Sequence, residues 1–287
     1  MNWHEFPGRR RQLAADPSLR PGVAAGIGLA LLALAATPVE AQPSLGKDWT
    51  FAQLDWRGTV PAEHRVSINN PFGDLRVRGT PGDQIEVLAL VQHHEDDPRR
   101  FEIVPPEAAD PATAGLLHLE IRQVGEVETP DDSWRKRRVD LTVLVPAAAP
   151  LQLTTDAGVL QSKGQSAAVV ARSAHGDIFL VSDGTVDVRS DYGGIQVELK
   201  SRQWSEPPQL RTRTGPIRLR LPAATPFRAE LSTQGEITTD YSITIARRPN
   251  STFKDGRIET DPEGPRIVLE SQRGDLAILE ALAAEAP

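Results

Sequence analysis

The sequence predicts an all-β fold, a β-solenoid or β-helix-like stack of short strands with glycine-marked corners at a period of about 17–22 residues. Three observations predict it. A phrase with a hydroxyl residue three places before a glycine recurs as Thr155…Gly158, Ser173…Gly176, Ser190…Gly193, Thr212…Gly215, Ser232…Gly235 and Ser271…Gly274, with an upstream relative, Asn70…Gly73. Two residues after each glycine stands an aliphatic side chain (Leu75, Leu160, Ile178, Ile195, Ile217, Ile237, Leu276), so stacked coils would bring these into one interior ladder. Between the phrases the chain alternates apolar and polar residues in runs too short for helices, punctuated by 24 prolines and 22 glycines.

Residues 42–60 read as a lead-in with Trp49, Phe51 and Trp56 as packing anchors. Arg65 to Asn70 alternates with Val66 and Ile68 on one face, and Leu75 and Val77 continue that face after the Asn70…Gly73 turn. Pro81-Gly82-Asp83 is a turn, and Ile85, Val87, Ala89 and Val91 form the next strand. The charged, proline-rich stretch 93–112 reads as a solvated hairpin loop. Leu116 to Ile121 is a strand, Gly125 to Lys136 a polar loop, and Arg138 to Val145 a strand that stops at Pro146. In the repeats the marker glycines fall at 158, 176, 193, 215 and 235, at nearly even intervals, and Gly164 and Gly184 mark a second set of turns between them.

Gly274 follows Gly235 after about two periods, and the polar stretch 250–264 is expected to replace or distort one coil. At each corner the glycine is expected to supply positive φ, and the Ser, Thr or Asn to hydrogen-bond the turn backbone. Five places before the glycine the residue is apolar in six copies (Ile68, Leu153, Ala171, Val188, Leu210, Leu269); Glu230 breaks the rule and predicts a bulge or register shift near Phe227 to Ser232. Arg266 to Leu279 is expected to end the ladder. The irregular N-terminal strands and the Glu280 to Pro287 tail are the expected covers for its two edges.

Residues 1–41 have the form of a secretory signal. Arg9, Arg10, Arg11 and Arg20 are its basic part, Gly22 to Ala36 its apolar run, and Val39-Glu40-Ala41 its cleavage site. The alternative is an uncleaved anchor, although the apolar run is short for a bilayer span. The expected organisation is a signal peptide at 1–41, an N-terminal β-strand region at 42–145 capping the solenoid, and the repeat region at 146–287, with one continuous β domain from about residue 62. The chain carries −7 in total. The exported part would hold 28 Lys and Arg against 36 Asp and Glu, which argues against nucleic acid as a partner. With no Cys, stability must come from packing and sheet hydrogen bonds.

The line from Val139 to Leu199 resembles the bacterial putative-adhesin family, in its strand-to-proline run Val143-Leu144-Val145-Pro146 and its Thr/Ser-x-x-Gly-x-Ile coils. The upstream stretch from Val66 to Leu75 looks like that family's first strand pair. The resemblance covers residues 62 to 279. It implies an exported β-strand-repeat domain and brings no catalytic motif with it. The stretches 93–112 and 250–264 depart from the family pattern.

No catalytic, cofactor or metal site is expected. His93-His94-Glu95-Asp96-Asp97 has ligand-type residues, but metal sites need ligands fixed by a second shell, and the run shows none. The acids just after four marker glycines, Asp74, Asp177, Glu236 and Asp275, are interrupted by Val159, Gly194 and Pro216 and read as turn residues rather than a glycosidase pair. Arg211, Arg213, Arg218 and Arg220 form the candidate ligand face, for an anionic glycan, a lipopolysaccharide phosphate or an acidic partner. The plainer reading is a solvated row pairing with Glu198 and Glu236. Phe179 and Tyr192 offer a surface for sugar stacking, or are ordinary surface aromatics. His175 holds a corner place that Ala157 and Tyr192 fill in other coils, which marks a tolerant exposed site.

These observations point to an exported, non-enzymatic binding or scaffold module of the bacterial cell envelope, in the periplasm or at the cell surface, with an envelope protein or glycan as partner, no cofactor and no membrane span once the signal is removed. The rival readings are a polysaccharide-active β-helix enzyme and a periplasmic structural or regulatory protein.

Overall fold

Period-two alternation decides the local structure, because it gives each run one apolar face that only a sheet can bury. The computed structural model of the chain describes residues 49–94, 100–104, 115–124 and 137–281, and among them every regular element is a β-strand. The segment read as a signal lies outside the described residues, as do the 125–136 loop, the tail beyond Ala281 and most of the stretch 95–112. The N-terminal strands are β1 (Trp49–Thr59), β2 (Arg65–Asn69), β3 (Leu75–Thr80), β4 (Gln84–His94), β5 (Arg100–Val104), β6 (Leu116–Val124) and β7 (Arg137–Pro146). The repeats supply β8 (Leu151–Ala157), β9 (Leu160–Gln165), β10 (Val169–His175), β11 (Ile178–Ser182), β12 (Val186–Tyr192), β13 (Ile195–Leu199), β14 (Gln209–Thr214) and β15 (Ile217–Leu221). The chain finishes with β16 (Arg228–Thr233), β17 (Ile237–Thr239), β18 (Ile243–Arg247), β19 (Lys254–Glu259), β20 (Arg266–Arg273) and β21 (Leu276–Glu280).

Each glycine corner passes the chain from one sheet to the other, so successive coils pair in parallel with their equivalents. The ten-stranded sheet runs β1-β4-β7-β3-β9-β11-β13-β15-β21-β17, and the eleven-stranded sheet runs β18-β19-β16-β20-β14-β12-β10-β8-β2-β6-β5. The apolar faces of both merge in a single core. Its spine is the expected ladder. Leu75, Leu160, Ile178, Ile195, Ile217, Leu276 and Ile237 stand in register across seven strands, and all but the terminal Ile237 are buried. Each buried rung stabilises the stack by about 1.5–3 kcal/mol.

The corners work differently from the sequence expectation. Only Gly73, Gly158 and Gly215 among the marker glycines have left-handed φ, at 128°, 136° and 142°. What the later corners share is contact. A Cβ at Gly158, Gly176, Gly193, Gly215, Gly274 or Gly235 would sit 1.9–2.5 Å from the carbonyl oxygen of the glycine on the neighbouring coil. Three of the hydroxyls likewise bridge coils, whereas those of Thr155 and Ser173 are buried without a hydrogen-bond partner among the described residues. Ser190, Thr212 and Ser271 donate to the carbonyls of Gly176, Gly193 and Gly215 at 3.3, 3.1 and 3.0 Å.

That glycine order, 215 to 274 to 235, exposes a second departure. The final coil, β20–β21, does not end the ladder. It is inserted between the coil of β14–β15 and that of β16–β17, with β20 parallel to both β14 and β16. The register shift expected around Glu230 is present, and its cause is a shorter corner. Leu231 and Thr233 pair with Leu269 and Ser271, one place out of phase with the phrase, so Thr233 rather than Ser232 holds the buried hydroxyl position and donates to Gly274. The step from Thr233 to Ile237 is one residue shorter than the step from Ser271 to Leu276, which restores the ladder at Ile237.

Antiparallel pairs close three of the four sheet ends, while β17 ends the ten-stranded sheet in parallel with β21. The supposed lead-in is strand β1, paired along its whole length with β4, with Trp56 packed on the core and Phe51 exposed. Part of the supposed 93–112 loop is β5, which pairs with β6. The stretch 250–264 contains β19, which joins β18 and β16 in antiparallel pairs and closes the far edge that the tail was expected to cover.

Candidate ligand-binding faces

Because inward positions hold the core, the chemistry sits on the outward residues, and parallel pairing sets these in rows about 4.8 Å apart from strand to strand. On the ten-stranded sheet one row reads Arg76, Gln161, Phe179, Gln196, Arg218, and its neighbour reads Arg78, Lys163, Val181, Glu198, Arg220. The rows span roughly 19 Å from β3 to β15. They hold five cations and one carboxylate in a chain whose net charge is −7. Arg76 is held by Asp74 at 2.9 Å, and Glu198 by Lys200 at 2.5 Å, although Arg220 is its cross-strand neighbour. Arg78, Lys163, Arg218 and Arg220 have no hydrogen-bond or ion-pair partner among the described residues. A shallow depression of about 230 Å³ lies over the half-buried Phe179 and Val181 and reaches Arg218 and Arg220.

Arg211 and Arg213 are not part of that face. They project from β14 on the eleven-stranded sheet, so the corner at Gly215 divides the four arginines of the candidate ligand face two and two. Here the outward row Thr154, Arg172, Arg189, Arg211, Glu270 crosses five strands. Arg172 pairs with Asp187 and Arg211 with Glu270, while Arg189 between them has no acceptor among the described residues. Arg248, brought over by the β18–β19 hairpin, grips Asp255 through two 2.7 Å bonds, donates to Ser232 at 3.0 Å and stacks on Phe253. The Arg248 hydrogen bond, with the arginine's charge, holds the Asp255 carboxyl below its ordinary range. Together these groups bound a basin of about 390 Å³ lined by Arg189, Asp191, Arg211, Arg213, Arg248 and Glu270, with Phe253 on its rim. Beside it His175 and Tyr192 stack at 5.1 Å, and the Arg213 guanidinium lies 5.9 Å over the Tyr192 ring.

The other residues that the sequence singles out prove structural in position. Six of the seven phrase residues, Asn70, Thr155, Ser173, Ser190, Thr212 and Ser271, are buried, and Ser232 is half-exposed because Thr233 has taken its place. Asp74, Asp177 and Asp275 each accept the backbone N–H of the equivalent residue on the next coil, Val159, Gly194 and Glu236, at 3.0, 2.7 and 2.9 Å. They clasp corners together. Asp191 and Glu270 share the basin, but their Cα positions are about 12 Å apart by strand geometry, and Glu270 is engaged by Arg211. Among the described residues no cluster of His, Asp and Glu has metal-site geometry, and Glu95 to Asp97 lie outside them. No helix among the described residues is long and apolar enough to cross a membrane.

Sequence reasoning missed Arg78, Lys163, Arg189 and Arg248. The first three carried a legible signal, since each is the outward residue of an alternating run and stands beside a cation on a neighbouring coil. Arg248 carried none, because it reaches the basin through a hairpin whose pairing no local pattern announces.

No family model matches the chain, and no curated protein matches it. Solved structures do. A putative cell adhesion protein from Clostridium sporogenes is similar over 81% of this chain and 100% of its own, at 9% identity and a TM-score of 0.45. A putative adhesin from Bacteroides fragilis is similar over 80% of this chain and 97% of its own, at 12% identity and a TM-score of 0.26.

Proposed function

We propose that the chain is an exported, non-enzymatic binding module of the bacterial envelope, and that the outward face of its ten-stranded sheet takes an extended polyanion such as an acidic glycan. The observation that carries this reading is the uncompensated charge of Arg78, Lys163, Arg218 and Arg220 on one rigid face of a chain that is acidic overall. Arg78 and Lys163 are like charges directly opposite on adjacent strands, and such a pair costs a fraction of a kcal/mol unless an anion lies between them. The four cations lie in two pairs, Arg78 with Lys163 and Arg218 with Arg220, about 14 Å apart across β11 and β13, a separation that an extended polymer spans and a small anion does not. Export rests on the form of residues 1–41. The non-enzymatic part rests on the employment of the corner carboxylates as backbone acceptors.

Chromatography on immobilised heparin, beside a neutral dextran support, tests the binding. The chain should be retained on heparin alone and elute with salt. The double variant Arg218→Glu/Arg220→Glu should pass through unretained while unfolding at the same temperature as the parent. Equal retention of that variant would overturn the assignment to this face.

A further inference from the structure

We propose that the basin on the eleven-stranded sheet, beneath the β18–β19 hairpin, is a discrete seat for a carboxylate-bearing sugar residue. It uses different residues from the polyanion face and does not depend on that reading. The basin brings four guanidinium groups against two carboxylates. Two of the four are already engaged, Arg211 by Glu270 and Arg248 by Asp255. Arg189 and Arg213 are not, and they stand on neighbouring strands with no acceptor among the described residues. A planar carboxylate between two planar guanidinium forks satisfies both, with a geometry that an ammonium group would not dictate.

The remaining walls define the rest of the ligand. Asp191 has no ion-pair partner among the described residues and lies opposite Arg213 on the adjacent strand. Its negative charge opposes a second charge on the ligand, which favours a monoanionic carboxylate over a phosphate dianion. Gln272 and Ser232 supply donors and acceptors for ring hydroxyls. Phe253, which lines the basin, gives a flat apolar face for the C–H side of a sugar ring. The volume of about 390 Å³ falls in the range of small-molecule sites.

Calorimetric titration of the purified chain with galacturonate, its methyl ester and galactose 1-phosphate tests this. Galacturonate should bind, and the uncharged ester and the phosphate should each bind at least tenfold more weakly. Arg189→Gln and Arg213→Gln should each weaken galacturonate at least tenfold with an unchanged unfolding transition. Arg189→Lys, which keeps the charge and loses the fork, should recover only part of the loss. Arg218→Gln/Arg220→Gln on the other sheet should bind as the parent does. Ester binding equal to that of the acid, phosphate binding as tight as the carboxylate, full affinity in both single variants, or no binding at all would each overturn the proposal. Loss confined to the Arg218→Gln/Arg220→Gln variant would also overturn it and would move the sugar to the polyanion face.

Discussion

At the scale of single residues, the marker glycines recur in this chain's repeats for want of space more than for backbone freedom. A Cβ at Gly176 would lie 1.9 Å from the Gly158 carbonyl oxygen, whereas one at Gly194, just past the next marker glycine, would meet nothing closer than 3.5 Å. Neither glycine has left-handed φ, so the two positions separate crowding from conformational strain. Gly176→Ala should therefore lower stability in urea by about 2–3 kcal/mol, and Gly194→Ala by well under about 1 kcal/mol. Equal losses would contradict the contact-ladder account. The pattern that identified the corners was fully legible in the sequence; the physical reason for it was not, because no local rule tells a turn glycine from one pressed against a neighbouring coil.

Tyr241 supplies a second residue-scale test. Its ring meets Phe227 edge-on at 5.0 Å, its hydroxyl is buried without a partner among the described residues, and its pKa is pushed up to about 12, first by burial and then by Glu280 and Asp240. Folding favours the neutral phenol. Its contribution is therefore complete below pH 10 and is lost as pH rises through about 12. In a Tyr192→Phe background Tyr241 is the sole tyrosine, so phenolate absorbance should report a midpoint near pH 12 in the folded chain. Tyr241→Phe should remove this part of the alkaline loss at no cost in stability near neutral pH, since the hydroxyl satisfies nothing among the described residues. A midpoint near 10 in folded protein would contradict the burial.

At the scale of elements, the sequence located nearly every strand of the repeats, because alternation and turn residues are local signals. It failed wherever pairing is non-local. Strand β1 hid in an apparent lead-in because its inward Leu54 and Trp56 alternate with too few neighbours to stand out. The slot taken by β20–β21 was illegible for the same reason, since all copies of the phrase look alike and any could stack on any. That insertion makes a prediction that chain position alone would not. The coil lies between β14–β15 and β16–β17, so amides of Arg266–Arg273 should exchange as slowly as those of β12 and β14. Hydrogen exchange in that strand at the rate of a frayed end would contradict the topology.

At the scale of the whole molecule, two sheets with one shared core present two outward faces of different character. The ten-stranded sheet offers two pairs of cations unpartnered among the described residues, and the eleven-stranded sheet a bounded basin with Phe253 in its wall. The sequence gathered Arg211, Arg213, Arg218 and Arg220 into one face because they are close along the chain. The Gly215 corner places them on two, and stacking then supplies each pair with new companions from distant coils. The measurement that tests the account most directly is arginine-selective dicarbonyl labelling, mapped by mass spectrometry, with and without a heparin oligosaccharide. Protection at Arg78, Arg218 and Arg220, with Arg172 labelled as before, is the result the account predicts. Unchanged labelling at all three in the presence of bound oligosaccharide would contradict it.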